Sequence, residues 1–312
     1  MTLKVVELFA GIGAWTKALD KLSVPYEIVC AIEKDKKTIE SYNLIHNTCF
    51  THQDISETNP IYVPDCDVIF YSPPCQSFSQ IGKQSGFSDP RGIMFFDALR
   101  IIKNKKPKYA IMENVSNLTK KFQFEFEIML QLLEQEGYKN YWKVINPKNH
   151  GYPQSRERVF VISVRIDIEE EFMFPDFKFN KSYLDFIENN VEDKYYNINY
   201  NFNYLSDNPI LLLKNKGEWK VKLDGITTCI DHNYWKGVDN HGQRTMIYHN
   251  NKIRRLTPLE CLRFMGFDDE DNKKLKTNNI SDTQIYKMAG NSIIVDVVEQ
   301  LIQQILIPIG VK

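Results

Sequence analysis

One cysteine of the sequence stands in a setting that suits a nucleophile. Cys75 follows Pro73 and Pro74 at the end of a short apolar run, and Gln76 comes directly after it. Proline fixes its own backbone φ, so the two prolines stiffen the chain just before the thiol. A free thiol has a pKa of about 8.5 and needs a positive neighbour or a helix N-terminus to ionise usefully. On these residues alone, Cys75 suits redox chemistry as well as it suits group transfer.

Charged side chains border two other apolar runs that resemble strands. Glu113 comes directly after one of them, and Arg156 and Arg158 precede another. In open α/β sheets, ligands bind at the edge formed by the carboxyl ends of the strands, so we expect Glu113 to face the same pocket as Cys75. Side chains alternate along a strand, which predicts that both arginines point to one side. A surface ion-pair network is the alternative interpretation of the arginines.

A glycine-containing turn near the N-terminus suits an adenosine ligand. Gly11 and Gly13 follow a strand-like run and precede a helical pattern, where backbone can approach a nucleotide closely. Glu33, about 20 residues after Gly13, could accept from ribose hydroxyls, and Asp54 could accept from an adenine amino group. The turn lacks the third glycine of the dinucleotide motif and any Gly-Lys-Ser/Thr phosphate cradle. S-adenosylmethionine therefore fits better than NAD or ATP, with a surface acid as the alternative for each carboxylate.

These residues need a scaffold, and the first half of the chain predicts one. Through about residue 167, short β-branched runs alternate with longer stretches of helical spacing, which is typical of repeated βαβ units. The predicted strands cover residues 5–9, 28–32, 68–71, 109–112, 141–145 and 159–164, and the predicted helices cover 15–21, 36–46, 94–103 and 124–136. The predicted fold is α/β, with a doubly wound Rossmann-like sheet.

The pattern changes from about residue 168, which predicts a smaller β-rich unit. Between residues 213 and 255, basic residues outnumber acidic ones and aromatic residues lie among them, a combination that suits contact with phosphates and bases. Solvated strand faces and buried rings would give the same composition. The last apolar stripe, from residue 293 to 305, predicts a helix that packs on the first domain. The predicted domains are 1–167 with 276–312, and 168–275.

The composition of the chain excludes several classes of protein but does not identify a binding partner. With 312 residues, 43% of them hydrophobic, and a formal charge of −1, the chain can bury a large core and is not of the disordered class. Its six cysteines include no Cys-x-x-Cys pair, so neither a zinc site nor a disulfide framework is indicated. No apolar stretch reaches the roughly 18 residues that a membrane helix needs. We expect a cytoplasmic protein that binds neither metal nor membrane.

Five segments, in this order, strongly resemble the cytosine carbon-5 DNA methyltransferases of bacteria and their phages. They are FAGIG at 9–13, PPCQSFS at 73–79, ENV at 113–115, QSRER at 154–158 and GNS at 290–292. Residues 81–92 also match the family's mobile catalytic loop. The resemblance covers roughly residues 3–165 and 253–307, and in the family the stretch between them carries target recognition. It implies an S-adenosylmethionine-dependent catalytic domain, with a target-recognition domain and hinge at 168–275.

The resemblance also implies a role for each matching residue. Cys75 would be the nucleophile that adds to carbon 6 of a flipped-out cytosine. Glu113 would hold or protonate ring nitrogen N3, and Arg158, with Arg156, would stabilise the charge that develops on the ring. The base pocket would be supported by Gln76 and Asn114, and the cofactor site would be lined by Phe9, Gly11, Gly13, Glu33, Asp54, Pro74 and Asn291.

The implied function is site-specific methylation of double-stranded DNA by a monomeric, prokaryotic or phage-encoded enzyme, in restriction-modification or phage protection. Thr227 and Thr228 loosely resemble the threonine-containing segment of the family's recognition region. Lys34 departs from the pattern, since several relatives place a large apolar residue there against the adenine.

Three alternatives remain beside this function. A tRNA cytosine methyltransferase with the same core tends to continue Pro-Pro-Cys-Gln with Pro-Phe-Thr, whereas Ser77, Phe78 and Ser79 follow here, which favours DNA. A catalytically inert DNA-binding relative would lack Cys75, Glu113 or the arginine pair, and all are present. A nicotinamide-dependent oxidoreductase would need a pyrophosphate-binding turn, which the sequence lacks.

Overall fold

The computed structural model describes residues 2–74, 94–168, 171–199, 209–238, 243–249 and 252–309. The chain divides into two compact units. The first comprises Met1–Ile145, Glu157–Asp176 and Val295–Lys312, and the second comprises Asn146–Arg156 and Phe177–Ile294. The functional division into a catalytic and a target-recognition domain stays a prediction.

The first unit is built on a six-stranded sheet in the order β2-β1-β3-β4-β6-β5. Its strands are β1 (Leu3–Leu8), β2 (Tyr26–Ile32), β3 (Val68–Tyr71), β4 (Tyr109–Val115), β5 (Tyr138–Ile145) and β6 (Arg158–Arg165). Its helices are α1 (Ala14–Leu22), α2 (Lys36–His46), α3 (Met94–Lys105), α4 (Gln123–Gln135) and α8 (Val295–Ile309). The predicted α/β fold is confirmed, and every strand and helix predicted in this unit is present.

The sheet is mixed, which the βαβ pattern did not indicate. Strands β2, β1, β3 and β4 are parallel, whereas β6 runs antiparallel to both β4 and β5. No α-helix lies between β5 and β6, which are joined by residues 146–157 with one short 3-10 helix at Pro147–His150. Strand β6 therefore runs antiparallel to β5, and it pairs with β4 in the same sense. As a result, the start of β6 lies beside the end of β4.

Both faces of the central strands are buried, as expected for strands covered by helices on each side. Ile69 and Tyr71 of β3 belong to the apolar cluster that includes α3 and α4. Phe70, which alternates with them, stacks on Trp15 of α1 with ring centroids 4.5 Å apart. Helix α8 packs against α1, so the C-terminal apolar stripe covers the first unit as predicted.

The second unit contains a five-stranded antiparallel sheet in the order β7-β11-β10-β8-β9. The strands are β7 (Tyr196–Asn199), β8 (Ile210–Asn215), β9 (Glu218–Val221), β10 (Met246–His249) and β11 (Lys252–Arg254), and the helices are α5 (Pro258–Phe264), α6 (Asp269–Thr277) and α7 (Asp282–Asn291). This sheet confirms the predicted β-rich character. Among the helices in the described part of the chain, none is both long and apolar enough to cross a membrane.

Candidate active site

An ion pair joins the end of β4 to the start of β6. Arg158 Nε lies 3.0 Å from Glu113 Oε1, and the two side chains are only 17% and 10% exposed. Glu113 pairs with Phe160 in the antiparallel register, and Phe160 is two residues from Arg158, so the two charges lie on one face as diagonal neighbours. A carboxylate and a guanidinium thus form a largely buried ion pair at this sheet edge.

Asn114 connects this edge to the chain that leads into Cys75. Its side chain is 2% exposed, and its Nδ2 donates to the carbonyl oxygen of Pro73 at 3.3 Å. Its Oδ1 accepts from the backbone N–H of Val115 at 2.8 Å. The backbone two residues before Cys75 is therefore anchored to the end of β4. Support of the base pocket by Asn114 stays a prediction.

Cys75 and Gln76 lie outside the described residues, and their roles stay predictions. Pro74 is described, directly after the anchored Pro73. The described cysteines, Cys30, Cys49, Cys66, Cys229 and Cys261, are all free thiols.

Arg156 does not lie in the strand that was predicted to point its side chain to the same side as that of Arg158. Strand β6 begins at Arg158, so alternation along the strand does not extend to Arg156. Its guanidinium is buried in the second unit, where it donates to the carbonyl oxygens of Ile230 at 2.9 Å and Gly290 at 3.0 Å. The expectation that both arginines point together to one side of a strand was therefore wrong.

The turn after β1 has an unusual backbone at three of the predicted cofactor residues. Phe9, Gly11 and Gly13 have φ of 58°, 58° and 77°, and a positive φ at a bulky residue such as Phe9 is a strained conformation that favours a functional explanation. A Cβ at Gly11 would meet no described atom within 4 Å. The turn therefore leaves open space among the described atoms beside the backbone of Gly11.

Gly13→Ala is expected to lower the free energy of unfolding by more than the ~1–2 kcal/mol that a left-handed alanine costs. A Cβ at Gly13 would lie 2.3 Å from Nε2 of His46, whose ring is held by the carbonyl oxygen of Ile12 at 3.0 Å. Urea unfolding measures the loss. Gly217→Ala is the matched control, because Gly217 has φ of 89° but nothing within 4 Å of its Cβ position. Equal losses in the two variants would contradict the role of the His46 contact.

Glu33 holds the turn to the end of β2. Its Oε2 accepts from the backbone N–H of Gly11 at 3.1 Å, and its Oε1 accepts from that of Asp35 at 2.8 Å. Burial raises the pKa of this carboxyl above its ordinary value. Each carboxylate oxygen has a second lone pair, so Glu33 can also accept from a ligand hydroxyl. Two of the predicted cofactor residues, Glu33 and Gly11, are thus brought into direct contact.

Asp54 is engaged by the residue that departs from the family pattern. Lys34 Nζ lies 2.5 Å from Asp54 Oδ2, and this hydrogen bond holds the pKa of the Asp54 carboxyl below its ordinary value. The Lys34 side chain is 70% exposed, against 18% for Asp54. The lysine therefore forms an ion pair with the carboxylate that was predicted to accept a hydrogen bond from the adenine. Asn291, the remaining predicted cofactor residue, ends α7 in the second unit and is exposed.

A buried acid below the glycine turn escaped the sequence analysis. Glu7 of β1 is 0% exposed, and its Oε1 accepts from Thr16 N at 2.8 Å and from Thr16 Oγ1 at 2.5 Å. Its Oε2 is buried and has no hydrogen-bond partner within the described ranges. Burial raises the pKa of Glu7 to about 7. The one feature of the sequence that could have indicated this buried acid is the position of Glu7 inside an apolar strand run.

Glu7 is expected to make the fold less stable as pH rises. The pKa of Glu7 is about 7 in the folded chain, against an ordinary value of 4.5 for an exposed glutamate. The contribution of Glu7 to the stability of the fold is therefore greatest below pH 4.5 and is lost as the pH rises to about 7. The difference amounts to roughly 3 kcal/mol. Glu7→Gln should therefore raise the free energy of unfolding at pH 8 more than at pH 5.5, measured in urea. Identical changes at the two pH values would refute the shift.

Among the described residues, no group of three or more His, Cys, Asp or Glu side chains is arranged to hold a metal ion. The described part of the site consists of the Glu113–Arg158 ion pair, the hydrogen bonds of Asn114 and Glu33, and the glycine turn.

Comparison with known proteins places the chain in a family. The model of the C-5 cytosine-specific DNA methylases matches residues 3–306. The chain is 32% identical to the type II methyltransferase M2.ScrFI of Lactococcus lactis subsp. cremoris, over 97% of this chain and 99% of that protein. It is also 32% identical to the type II methyltransferase M.HhaI of Haemophilus parahaemolyticus, over 96% of this chain and 93% of that one.

Solved structures with lower identity share the fold. The S. pombe Dnmt2 methyltransferase superimposes with a TM-score of 0.75 at 23% identity, over 99% of both chains. The family match spans almost all of the chain and includes the glycine turn, the Pro-Pro-Cys segment and the Glu113–Arg158 pair. The chain therefore belongs to the C-5 cytosine-specific DNA methylase family.

Proposed function

We propose that this chain transfers a methyl group from S-adenosylmethionine to carbon 5 of a flipped-out cytosine in double-stranded DNA, through a covalent adduct with Cys75. The observation that carries the proposal is the Glu113–Arg158 pair, with Arg158 Nε 3.0 Å from Glu113 Oε1. Asn114, next to Glu113, anchors the backbone of Pro73. An acid and a cation therefore adjoin the residue that anchors Pro73, two positions before the proposed nucleophile.

Attack on cytosine requires that negative charge on the ring be neutralised where it develops. The Cys75 thiolate forms a bond to carbon 6, and Glu113 holds or protonates N3 as electron density moves onto the ring. Arg158 orients the Glu113 carboxylate and stabilises the same charge from the side of the ring carbonyl. Carbon 5 would then take the methyl group from the sulfonium, whose S–CH3 bond breaks to leave the neutral thioether. Transfer of the carbon-5 proton to a base and elimination of the Cys75 thiolate would restore the aromatic ring.

The residues around the glycine turn fit an adenosine-containing cofactor. S-adenosylmethionine supplies an electrophilic methyl group on its sulfonium when bound. The exposed backbone at Gly11, the left-handed Phe9 and the remaining lone pairs of Glu33 would hold the nucleoside. Lys34 must release or share Asp54 if that carboxylate accepts from the adenine, because the two are 2.5 Å apart. Asn291 and Pro74 stay proposed contacts.

The remaining assignments extend this function. The second unit, with Thr227 and Thr228, would carry target recognition, and the chain would act as a monomer in the cytoplasm of a prokaryotic cell. The relatives include type II enzymes of bacteria and orphan methyltransferases of Bacillus phages. A restriction-modification or phage protection role is proposed on that basis.

The test is methyl transfer from labelled S-adenosylmethionine to unmethylated duplex DNA. The parent protein is expected to form labelled 5-methylcytosine, and Cys75→Ser should lose at least about 10³-fold of the rate. Cys49→Ser, which changes an exposed cysteine, is the matched control and should keep the parent rate. Labelling of tRNA in place of DNA, or an active Cys75→Ser variant, would reject the proposal.

A further inference from the structure

Arg156 connects two segments of the second unit that are far apart in sequence. Its Nη1 lies 2.9 Å from the carbonyl oxygen of Ile230 and 3.1 Å from Cys229 Sγ. Its Nη2 lies 3.0 Å from the carbonyl oxygen of Gly290 and 2.5 Å from that of Ser292. The residue is 4% exposed. One buried guanidinium therefore holds residues 229–230 and residues 290–292 together.

A second contact joins the same two segments without Arg156. A Cβ at Gly290 would lie 2.2 Å from the carbonyl carbon of Asp231 and 2.3 Å from the backbone nitrogen of His232. Only a glycine allows this close approach of two backbones. The 290–292 segment is therefore packed directly on the 229–232 segment, and the Arg156 guanidinium donates hydrogen bonds to both.

The proposed function gives a role to Asn291, which lies in one segment, and to Thr227 and Thr228, which directly precede the other. Asn291 lies between the two carbonyls that Arg156 holds, and its own side chain is left exposed. The 229–232 segment directly follows Thr227 and Thr228. Thr227 N donates to Pro153 O at 2.9 Å, and Thr228 N donates to Thr245 Oγ1 at 2.8 Å. The backbone that leads into the 229–232 segment is thus fixed.

We propose that Arg156 is a positioning residue which fixes Asn291 and the Thr227–Thr228 segment as one rigid body, so that cofactor and target contacts are set together. The inference rests on the proposed function, which assigns those two contacts. The planar guanidinium suits the task because it offers several donors in a fixed geometry. A lysine at this position has a single nitrogen and cannot reach four acceptors on two sides.

The role predicts a separation of binding from turnover. Arg156→Gln should raise the Kd for labelled S-adenosylmethionine by about tenfold, because buried carbonyls lose their donor and the 290–292 segment relaxes. The KM for S-adenosylmethionine and the KM for unmethylated plasmid DNA should both rise. The kcat at saturation should stay within about threefold of the parent value, since both terminal nitrogens of the guanidinium donate to acceptors within the second unit and the positioning role gives them no contact with the reacting atoms.

Equilibrium dialysis measures the cofactor Kd without any turnover, and circular dichroism checks the fold of each variant. Arg156→Lys and Gly290→Ala provide two further tests if the glutamine variant does not fold, and both should raise the same constants. Arg263→Gln is the matched control, because it removes an arginine of the same unit whose Asp269 partner is 64% exposed. It should change none of the constants.

The outcomes distinguish this inference from the proposed function. A folded Arg156→Gln protein with reduced kcat and parental Kd and KM would overturn the positioning role and favour a catalytic one. Parental values of all constants in both Arg156→Gln and Gly290→Ala would also overturn it. A parent protein that binds S-adenosylmethionine but methylates no DNA would instead reject the proposed function, and the dialysis measurements would still decide whether Arg156 positions the cofactor contact.

Discussion

Glu113→Gln is expected to lower kcat for methyl transfer by about 10²- to 10⁴-fold, the usual contribution of a positioned general acid or base. Glutamine keeps the size of the side chain but cannot donate a proton or carry the charge that Arg158 faces at 3.0 Å. The Kd for S-adenosylmethionine should stay unchanged, because Glu113 is not among the residues proposed to bind the cofactor. Single-turnover labelling of duplex DNA, together with equilibrium dialysis, measures both quantities.

The matched control for this prediction is Glu171→Gln. Glu171 also forms an ion pair, with Lys139 Nζ at 2.9 Å, but its side chain is 83% exposed. Loss of this pair should leave the rate unchanged, because exposed pairs contribute little. A Glu113→Gln enzyme as fast as the control would show that the buried pair has no part in the reaction.

Glu260→Ala is expected to destabilise the second unit by about 3–5 kcal/mol, the usual cost of leaving a buried charge without its partner. Arg254 and Glu260 are 1% and 0% exposed. Their two hydrogen bonds measure 2.7 and 2.8 Å. Glu260 also accepts from the backbone N–H of Thr257 at 2.7 Å and so closes the capping box of α5. Urea unfolding, followed by circular dichroism, measures the loss.

Two further variants show whether the buried charge is the cause. Arg263→Ala breaks a pair whose Asp269 partner is 64% exposed, and it should cost no more than about 1 kcal/mol. Arg254→Met combined with Glu260→Gln removes both charges and should recover part of the stability lost in Glu260→Ala. Equal losses in Glu260→Ala and Arg263→Ala would contradict the explanation.

The sequence predicted the parts of the site that follow from strands and their ends. The strand that ends near Glu113 and the strand that begins near Arg158 were visible as apolar runs, but their meeting at one edge depends on the antiparallel pairing of β4 with β6, which the βαβ pattern did not indicate. The glycine turn and Glu33 were predicted as neighbours, and Gly11 N donates to Glu33. Local pattern and the general geometry of α/β sheets are sufficient for such contacts.

Contacts that depend on distant irregular segments could not be predicted in this way. Alternation was applied to Arg156 although β6 begins only at Arg158, so the inferred direction was wrong. Besides Cys229 Sγ, its acceptors are backbone carbonyls at 230, 290 and 292, and a backbone carbonyl is present at every residue. No residue type therefore identifies these partners. The buried Arg254–Glu260 pair was missed for another reason: only the capping role of Glu260 is visible locally.

The antiparallel pairing of β4 with β6 places Val115 opposite Arg158 and Glu113 opposite Phe160. Hydrogen-bond register, and not separation along the chain, therefore decides which charges meet. Loops within residues 116–157 can lengthen or shorten without moving the carboxylate away from the guanidinium, provided that β5 keeps its pairing with β6. A slip of one residue within either strand would send the two side chains to opposite faces of the sheet. The chemistry of this edge should thus tolerate insertions between the strands and fail on insertions within them.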